Sequence, residues 1–298
     1  MSLLGNDDGL MNLEIRIWDV DHGIAIWIKT PNDGNHWIDG GKKTINGHDE
    51  FNPAYYVRDH YGVTSLDYLV ISHPDTDHYN GLHDIKESFN PIKALGRNKE
   101  YLKNNMDKLF PDPKNLNECN KALLKLHGTY TSPVNQEDSP LNPQNNGDVD
   151  VKVFNAPYYE SMTTNDSSLV VFYKYNNRIF IAPGDIQELG WDKLYQKHNK
   201  EISDFVSGSK SRILVAPHHG TESGYTQEMI DCIKPSFVII SDQYGYSSPT
   251  DNRFRNVATG EIIDGKPCKF ASTKTSGRVK VSVDRIGKID ISTIYKKS

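Results

Sequence analysis

Ile71-Ser72-His73-Pro74-Asp75-Thr76-Asp77-His78-Tyr79-Asn80-Gly81 sets two imidazoles, His73 and His78, and two carboxylates, Asp75 and Asp77, within six residues at the end of an apolar run. The run itself, Asp67-Tyr68-Leu69-Val70-Ile71, reads as a short buried strand that Pro74 breaks into a polar turn. The cluster therefore sits at a strand's carboxyl end, where α/β proteins place their sites. A lone Asp or His in such a loop is ordinarily a turn former or a helix cap. Four together are different, because nitrogen and oxygen donors so close in sequence can converge on one or two divalent cations.

Upstream, residues 13–17 alternate with period two, residues 24–28 form a second apolar run after Asp21-His22-Gly23, and Asn32-Asp33-Gly34-Asn35 is a hairpin signal. This is an antiparallel start. Residues 36–38 then lead to Asp39-Gly40-Gly41, where Asp39 reads as a loop-orienting hydrogen-bond acceptor rather than a metal ligand. Asn52-Pro53 can cap and begin a helix through Tyr61. Residues 90–150 are rich in Asn, Lys and Pro; Leu116, Cys119, Leu123 and Leu126 mark one amphipathic helix there, with Gly128 as its stop and His127 as a partner for its C-terminal dipole. Residues 132–147 read as a long loop, either a mobile lid or a linker between halves.

Downstream the same grammar returns. Residues 151–154, 169–173 and 179–182 read as strands, the last two joined across Asn176-Asn177, and Pro183-Gly184-Asp185 follows ahead of a helix from about 187 to 198. Asp185 thus stands at a strand end, as His73 does, although helix capping is the plain alternative. Residues 213–216 form another buried strand, closed by Pro217-His218-His219-Gly220-Thr221. A short helix over 228–234, a strand over 237–240, a polar loop over 243–267 and a closing hairpin of 279–283 with 288–291 complete the chain.

Composition bounds the function. The 298 residues carry a formal net charge of -5, which argues against binding nucleic acid by overall charge alone. Cys119, Cys232 and Cys268 are odd in number and widely spaced, so neither a disulfide framework nor a cysteine zinc site is expected, and a reducing cytoplasm fits. No apolar run approaches the roughly 18 residues of a membrane helix, and no signal peptide is expected. Residues 1–11 read as a loose arm, and 12–298 as a single domain with an insertion at about 97–150.

His73-Pro74-Asp75-Thr76-Asp77-His78, Gly184-Asp185 and His218-His219-Gly220, in that order, resemble the metallo-β-lactamase superfamily. Together with Trp18-Asp19-Val20-Asp21-His22-Gly23, Ile38-Asp39-Gly40-Gly41 and Asn165-Asp166-Ser167-Ser168-Leu169-Val170, they look like the soluble hydrolase domain of ComEC-type DNA-uptake proteins, over residues 13–291. The resemblance implies an α/β fold, a four-layer αββα sandwich with a dinuclear site at one edge of its sheets. Three departures stand out. Asp75 occupies a position that is His in most of the superfamily; Asp21-His22 stands where that branch has Gly-Gln; and no His lies between His127 and His198, so Asn165 or Asp166 would have to supply an oxygen instead.

On the matched positions His73 and Asp75 should hold one cation and Asp77 and His78 the other, with Asp185 bridging and His219 the last ligand. His218 is left unligated, although the two neighbours could exchange. The implied cofactors are two divalent metal ions, zinc or manganese, and the number of oxygen donors points to manganese for activity. A hydroxide formed between the ions would be the nucleophile, with Asp77 and His218 the residues expected to carry catalysis. The expected function is a metal-dependent hydrolase, phosphodiesterase or nuclease-like, acting on DNA or another nucleotide. The alternatives are hydrolysis of a small ester or lactone, or an idle member that binds metal and a partner protein through the insertion. Neither the membrane channel nor the oligonucleotide-binding domain of the competence proteins is present in this sequence, so a freestanding hydrolase is expected.

Overall fold

The structure is a computed structural model that describes residues 12–45, 48–242, 250–263 and 265–294; the expected arm at 1–11 lies outside the described residues. The alternating run forms β1 (Leu13–Ile17), and a turn with Asp33 in the left-handed region joins β2 (Ile26–Lys29) to β3 (Asn35–Ile38). A small hairpin, β4 (Lys43–Ile45) and β5 (His48–Phe51), leads into α1 (Pro53–Tyr61), which Asn52 caps by accepting from the Ala54 amide at 3.0 Å. Then follow β6 (Tyr68–Val70), the single-turn α2 (Thr76–Tyr79), α3 (Leu82–Ser88), β7 (Leu95–Gly96), α4 (Lys99–Leu109) and α5 (Glu118–Thr129). The second half opens with β8 (Asp150–Phe154), β9 (Val170–Tyr175), β10 (Arg178–Ala182), α6 (Glu188–Val206), β11 (Ser211–Val215) and α7 (Gln227–Ile233). It closes with β12 (Phe237–Ile240), α8 (Asn252–Asn256), the hairpin of β13 (Glu261–Ile263) and β14 (Lys266–Cys268), β15 (Phe270–Ser272), β16 (Arg278–Val283) and β17 (Ile289–Ile294).

Strand order is β17-β16-β1-β2-β3-β6-β7 in one sheet and β15-β12-β11-β10-β9-β8 in the other. Period-two alternation sorts the side chains of each strand between two interfaces. Ile26, Ile28 and Val70 of the first sheet meet Val171, Phe180 and Ile213 of the second. On the opposite face of the first sheet, Trp27, Trp37 and Leu69 pack beneath Val57, Leu82 and Leu123 of α1, α3 and α5. Phe172, Ile181 and Leu214 likewise pack beneath Trp191, Leu194 and Met229 of α6 and α7. The result is a four-layer αββα sandwich. With both faces of each sheet covered, runs such as Phe237-Val238-Ile239-Ile240 are apolar at every position, each side chain contributing about 1.5–3 kcal/mol of burial.

Register decides where the functional loops emerge. β3 and β6 run parallel with Ile38 opposite Val70, so Asp39 and the turn at Ser72 leave the sheet side by side. In the second sheet β10 and β11 run parallel with Ile181 opposite Leu214, which brings Asp185 and the His218-His219 pair to one edge. The β9–β10 hairpin turns at Asn176 and Asn177, both with positive φ, a geometry that matches strand twist.

Several elements depart from the sequence reading. α6 runs to Val206, well past His198, and α4 is a second helix where only one was expected. Its Asn and Lys content hid it; Asn98 caps it and Tyr101 and Leu102 bury it. Gly128 lies inside the last turn of α5 rather than ending it, and the His127 ring accepts from Arg97 Nε at 3.0 Å. The polar stretch over 243–267 contains α8 and the β13–β14 hairpin, although 243–249 and 264 lie outside the described residues. The loop over 132–147 is fastened to the β2–β3 turn, where Asn32 Nδ2 donates to the Asn145 carbonyl at 2.8 Å, at the opposite strand ends from Asp39 and Ser72. It is therefore the connection between halves and not a lid on the site. Among the described residues no helix is long and apolar enough to cross a membrane.

Candidate metal centre

The turn after β6 carries its side chains inward. Asp75 stands at the N-cap position of α2 yet makes no capping hydrogen bond, and its carboxylate lies 3.6 Å from His73 Nε2. Asp185 caps no helix either: its amide donates to Ser168 Oγ at 3.1 Å, and its carboxylate faces His78 and His219. Gly184 makes this approach possible, because at its positive φ a Cβ would come within 2.9 Å of both Ser168 Oγ and Ser72 Cβ.

Donor atoms of Asp77, His78, Asp185 and His219 lie within 4.8 Å of one another. His219 Nε2 is 3.1 Å from Asp77 Oδ2 and 3.2 Å from Asp185 Oδ2, while His78 Nε2 is 3.1 Å from Asp185 Oδ1. His73 and Asp75 form a pair beside this group, with the His73 and His78 ring centroids 4.1 Å apart. The buried atoms His73 Nε2, His78 Nε2 and Asp185 Oδ1 have no partner in hydrogen-bonding geometry. Buried donors and acceptors are rarely left so; His78 Nε2 and Asp185 Oδ1 belong to the four-residue group and fit a cation there, and His73 Nε2 stands beside it with Asp75.

Their rear contacts fix which nitrogen faces the site. Asp39, fully buried, accepts from the Ser72 amide and hydroxyl, each at 2.7 Å, and lies 2.8 Å from His78 Nδ1. Ser72 Oγ lies 3.0 Å from His73 Nδ1, and the Ser241 carbonyl 3.2 Å from His219 Nδ1. With each Nδ1 engaged, all three Nε2 atoms are presented inward, the arrangement that raises a ligand's basicity and holds its ring. Asp39 is thus an orienting acceptor, as expected, and one of the groups it faces is the His78 ring, which the sequence did not indicate. Asp39→Asn keeps the shape but puts an amide group among donors, and zinc affinity should fall about 10- to 100-fold with the helical signal preserved. Titration of metal into the chelated variant measures it, and an unchanged affinity would remove Asp39 from the site.

A family profile described as the metallo-beta-lactamase superfamily matches residues 47–236, more than half of the chain. The chain belongs to the metallo-beta-lactamase superfamily. The competence protein ComA of Neisseria gonorrhoeae is 20% identical over 285 residues, covering 95% of this chain and 34% of that protein, so the chain spans about a third of its relative's length. Solved structures of similar shape include a diphosphatase of the PhnP family, 9% identical with a TM-score of 0.42 over 92% of this chain and 99% of that one. The CmlA beta-hydroxylase is 12% identical with a TM-score of 0.44 over 90% of this chain and 53% of that one. Membership of the superfamily makes this a metal-dependent hydrolase by class, and the buried donor set is its candidate metal-binding cluster.

The electrostatics of this superfamily centre are those of a cation site. Burial opposes ionisation of Asp77 and Asp185, yet their contacts with His219 and His78 hold both carboxyls well below the usual range. Burial also opposes charge on the imidazoles, but Asp185 and Asp39 raise His78 well above its ordinary value, and Asp185 and Asp77 raise His219 to about 9. Without metal, protons on the imidazoles supply the positive charge that a divalent ion would bring.

His218 lies beside the group and outside it. Both His218 and His219 have positive φ, at 49° and 56°, a conformation non-glycine residues adopt at a cost and mostly at functional sites. His218 Nδ1 is 2.7 Å from Ser223 Oγ, and its Nε2 is 3.4 Å from Asn165 Nδ2. Burial, against the pull of Asp185, lowers the His218 pKa, so it is largely neutral near pH 7. Asn165 Oδ1 is buried without a partner next to it, whereas Asp166 is occupied: Gly190 N and Tyr159 OH donate to its two oxygens at 3.1 Å each. Of the two oxygen sources expected in that loop, only Asn165 faces the site. The residue that sequence reasoning passed over is His22, whose Nε2 lies 3.5 Å from Asp77 Oδ2. Its signal was an imidazole before a glycine in the loop ahead of the second apolar run, noted only as a departure.

Proposed function

We propose that this chain is a phosphodiesterase, nuclease-like in substrate class, working with two divalent ions, zinc or manganese. The observation that carries it is the convergence of donor atoms of Asp77, His78, Asp185 and His219 within 4.8 Å of one another, with the His73–Asp75 pair beside them across the His73 and His78 rings. Similarity to a competence protein over 95% of the chain supports a phosphodiester substrate such as DNA or another nucleotide. The three cysteines are free, which suits the cytoplasm.

When bound, two such ions supply an activated nucleophile at neutral pH and neutralise charge on a transferring phosphoryl group. The chain's own residues do the rest. Asp185, with Oδ1 toward His78 and Oδ2 toward His219, offers both carboxylate oxygens to the group, and a carboxylate has the two oxygens that bridging a second ion would need. Asp77 Oδ2, a quarter exposed at the mouth, orients the open side. His218, held through Nδ1 by Ser223, presents Nε2 beside Asn165, where a neutral imidazole can hydrogen-bond to charge developing on the scissile group.

The test is to strip the protein with chelator, restore zinc or manganese singly, and assay bis-p-nitrophenyl phosphate and a single-stranded oligonucleotide beside ester and lactone panels. Metal-dependent cleavage of the phosphodiesters is expected. Turnover confined to esters or lactones would replace this reading with a small-substrate hydrolase.

A further inference from the structure

We propose that His22 is an additional metal ligand, completing an imidazole-rich half of the centre on the Asp77 side; the inference rests on the functional reading above. Asp77 Oδ2 is surrounded by three imidazole nitrogens, His219 Nε2 at 3.1 Å, His22 Nε2 at 3.5 Å and His78 Nε2 at 3.6 Å. Ligand atoms bound to one zinc at about 2.0–2.1 Å in a tetrahedral array stand roughly 3.3 Å from each other. The three separations from Asp77 Oδ2 are of that size, with His22 at the edge of the four residues whose donor atoms all lie within 4.8 Å of one another.

The loop that carries His22 is built to hold it there. Gly23 has φ of +129°, and a Cβ on it would run into the Asp77 carbonyl, so the loop lies directly against the turn of the metal motif. Ser241 Oγ donates to the Gly23 carbonyl at 2.8 Å, while the Ser241 carbonyl is the group facing His219 Nδ1. One residue therefore registers the two imidazoles, whose ring centroids lie 4.4 Å apart. Gly41 N donates to the Ile24 carbonyl at 2.8 Å, and Asp21, at positive φ, pairs with Lys43 at 3.2 Å. His22 keeps 30% of its side chain exposed, against none for His78, so it closes the group from the solvent side.

The consequence is chemical. The expectation of manganese came from a shortage of imidazoles, and His22 makes up that shortage on one side of the centre. Three imidazoles with Asp77 and Asp185 suit zinc, whereas the His73 and Asp75 side remains the better place for a harder ion.

The experiment compares zinc binding by the parent, His22→Ala and His22→Phe, using a chromophoric chelator in competition and the visible spectrum of the cobalt form. Phenylalanine keeps a ring against His219 and removes the nitrogen. Both variants should bind the tighter zinc at least about tenfold more weakly and show an altered cobalt spectrum, with unchanged circular dichroism. In the parent, zinc should protect His22 from diethylpyrocarbonate, read by peptide mass, a measurement that needs no variant to fold. Parental binding by both variants, or by His22→Phe alone, would overturn the ligand role, as would labelling of His22 in the zinc-loaded parent. A parent that takes up no metal would overturn the functional reading and this inference with it.

Discussion

Asp185→Asn should lose metal-dependent turnover by at least about 10³-fold, roughly 4 kcal/mol of transition-state stabilisation, while the circular dichroism matches the parent. The two oxygens of Asp185 face different imidazoles, Oδ1 toward His78 at 3.1 Å and Oδ2 toward His219 at 3.2 Å. An amide has one oxygen and one nitrogen, and the nitrogen cannot accept a cation's charge. Whichever way it turns, one of the two imidazoles loses the carboxylate oxygen that faces it, and the centre loses a negative charge. The backbone should hold, because the contacts that place it belong to the Asp185 amide on Ser168 Oγ and to Gly184, neither of which the substitution touches. The metal-free variant loses the counter-charge that keeps His78 and His219 protonated, and these can shed their protons to limit the cost. Turnover of bis-p-nitrophenyl phosphate with restored metal, beside metal content, decides the matter. Near-parent values of both would show that the centre does not use the Asp185 carboxylate.

The sandwich was implied by the family resemblance; the buried strands that build it were legible because both sheets are covered on both faces. Burial on each side makes strands such as residues 237–240 and 213–216 apolar without interruption, and that pattern survives any detail of loop or register. Short parallel edge strands carry no such mark. Phe270–Ser272 becomes a strand only because Ile239 of β12 lies opposite Ala271, a pairing local sequence does not encode. α4 hid for the reverse reason: its Asn-rich run has weak helix propensity, and its helicity comes from the Asn98 cap and the burial of Tyr101 and Leu102.

At the site, the candidates that the fold gathers are those concentrated at strand ends: Asp77, His78, Asp185 and His219 in one group, with the His73–Asp75 pair beside it. Asp39 was legible as an orienting acceptor because it precedes two glycines, and the structure shows what it orients. His22 was not, since a single imidazole after the first strand is not part of a dense run of ligand-type residues such as 73–78. It meets that run only when Gly23 packs on the Asp77 carbonyl, a contact 54 residues away along the chain that no periodicity announces.

Zinc uptake by the chelated protein should strengthen by about tenfold per pH unit on the acid side of pH 9 from the proton on His219, and more steeply wherever His78 is also charged. A ligating imidazole must be neutral, and in the metal-free chain His219 is raised to about 9 and His78 well above its ordinary 6.5. Each proton displaced adds about one factor of ten per pH unit, whereas Asp77 and Asp185, held well below the usual carboxylate range, release none. Stability without metal should run the other way. A histidine whose folded pKa exceeds its unfolded value stabilises the fold fully below the unfolded value of 6.5, and that contribution is lost as pH rises through about 9 for His219. Chelated protein should therefore melt at lower temperature as pH climbs from 6 to 10, over the same range in which it binds zinc more tightly. Calorimetric titration in buffers of different ionisation enthalpy counts the protons, and thermal melts across that range follow the stability. Zinc binding that releases no protons near pH 7 would mean that His78 and His219 are already neutral without metal, and that the carboxylates around them do not hold the charge their distances imply.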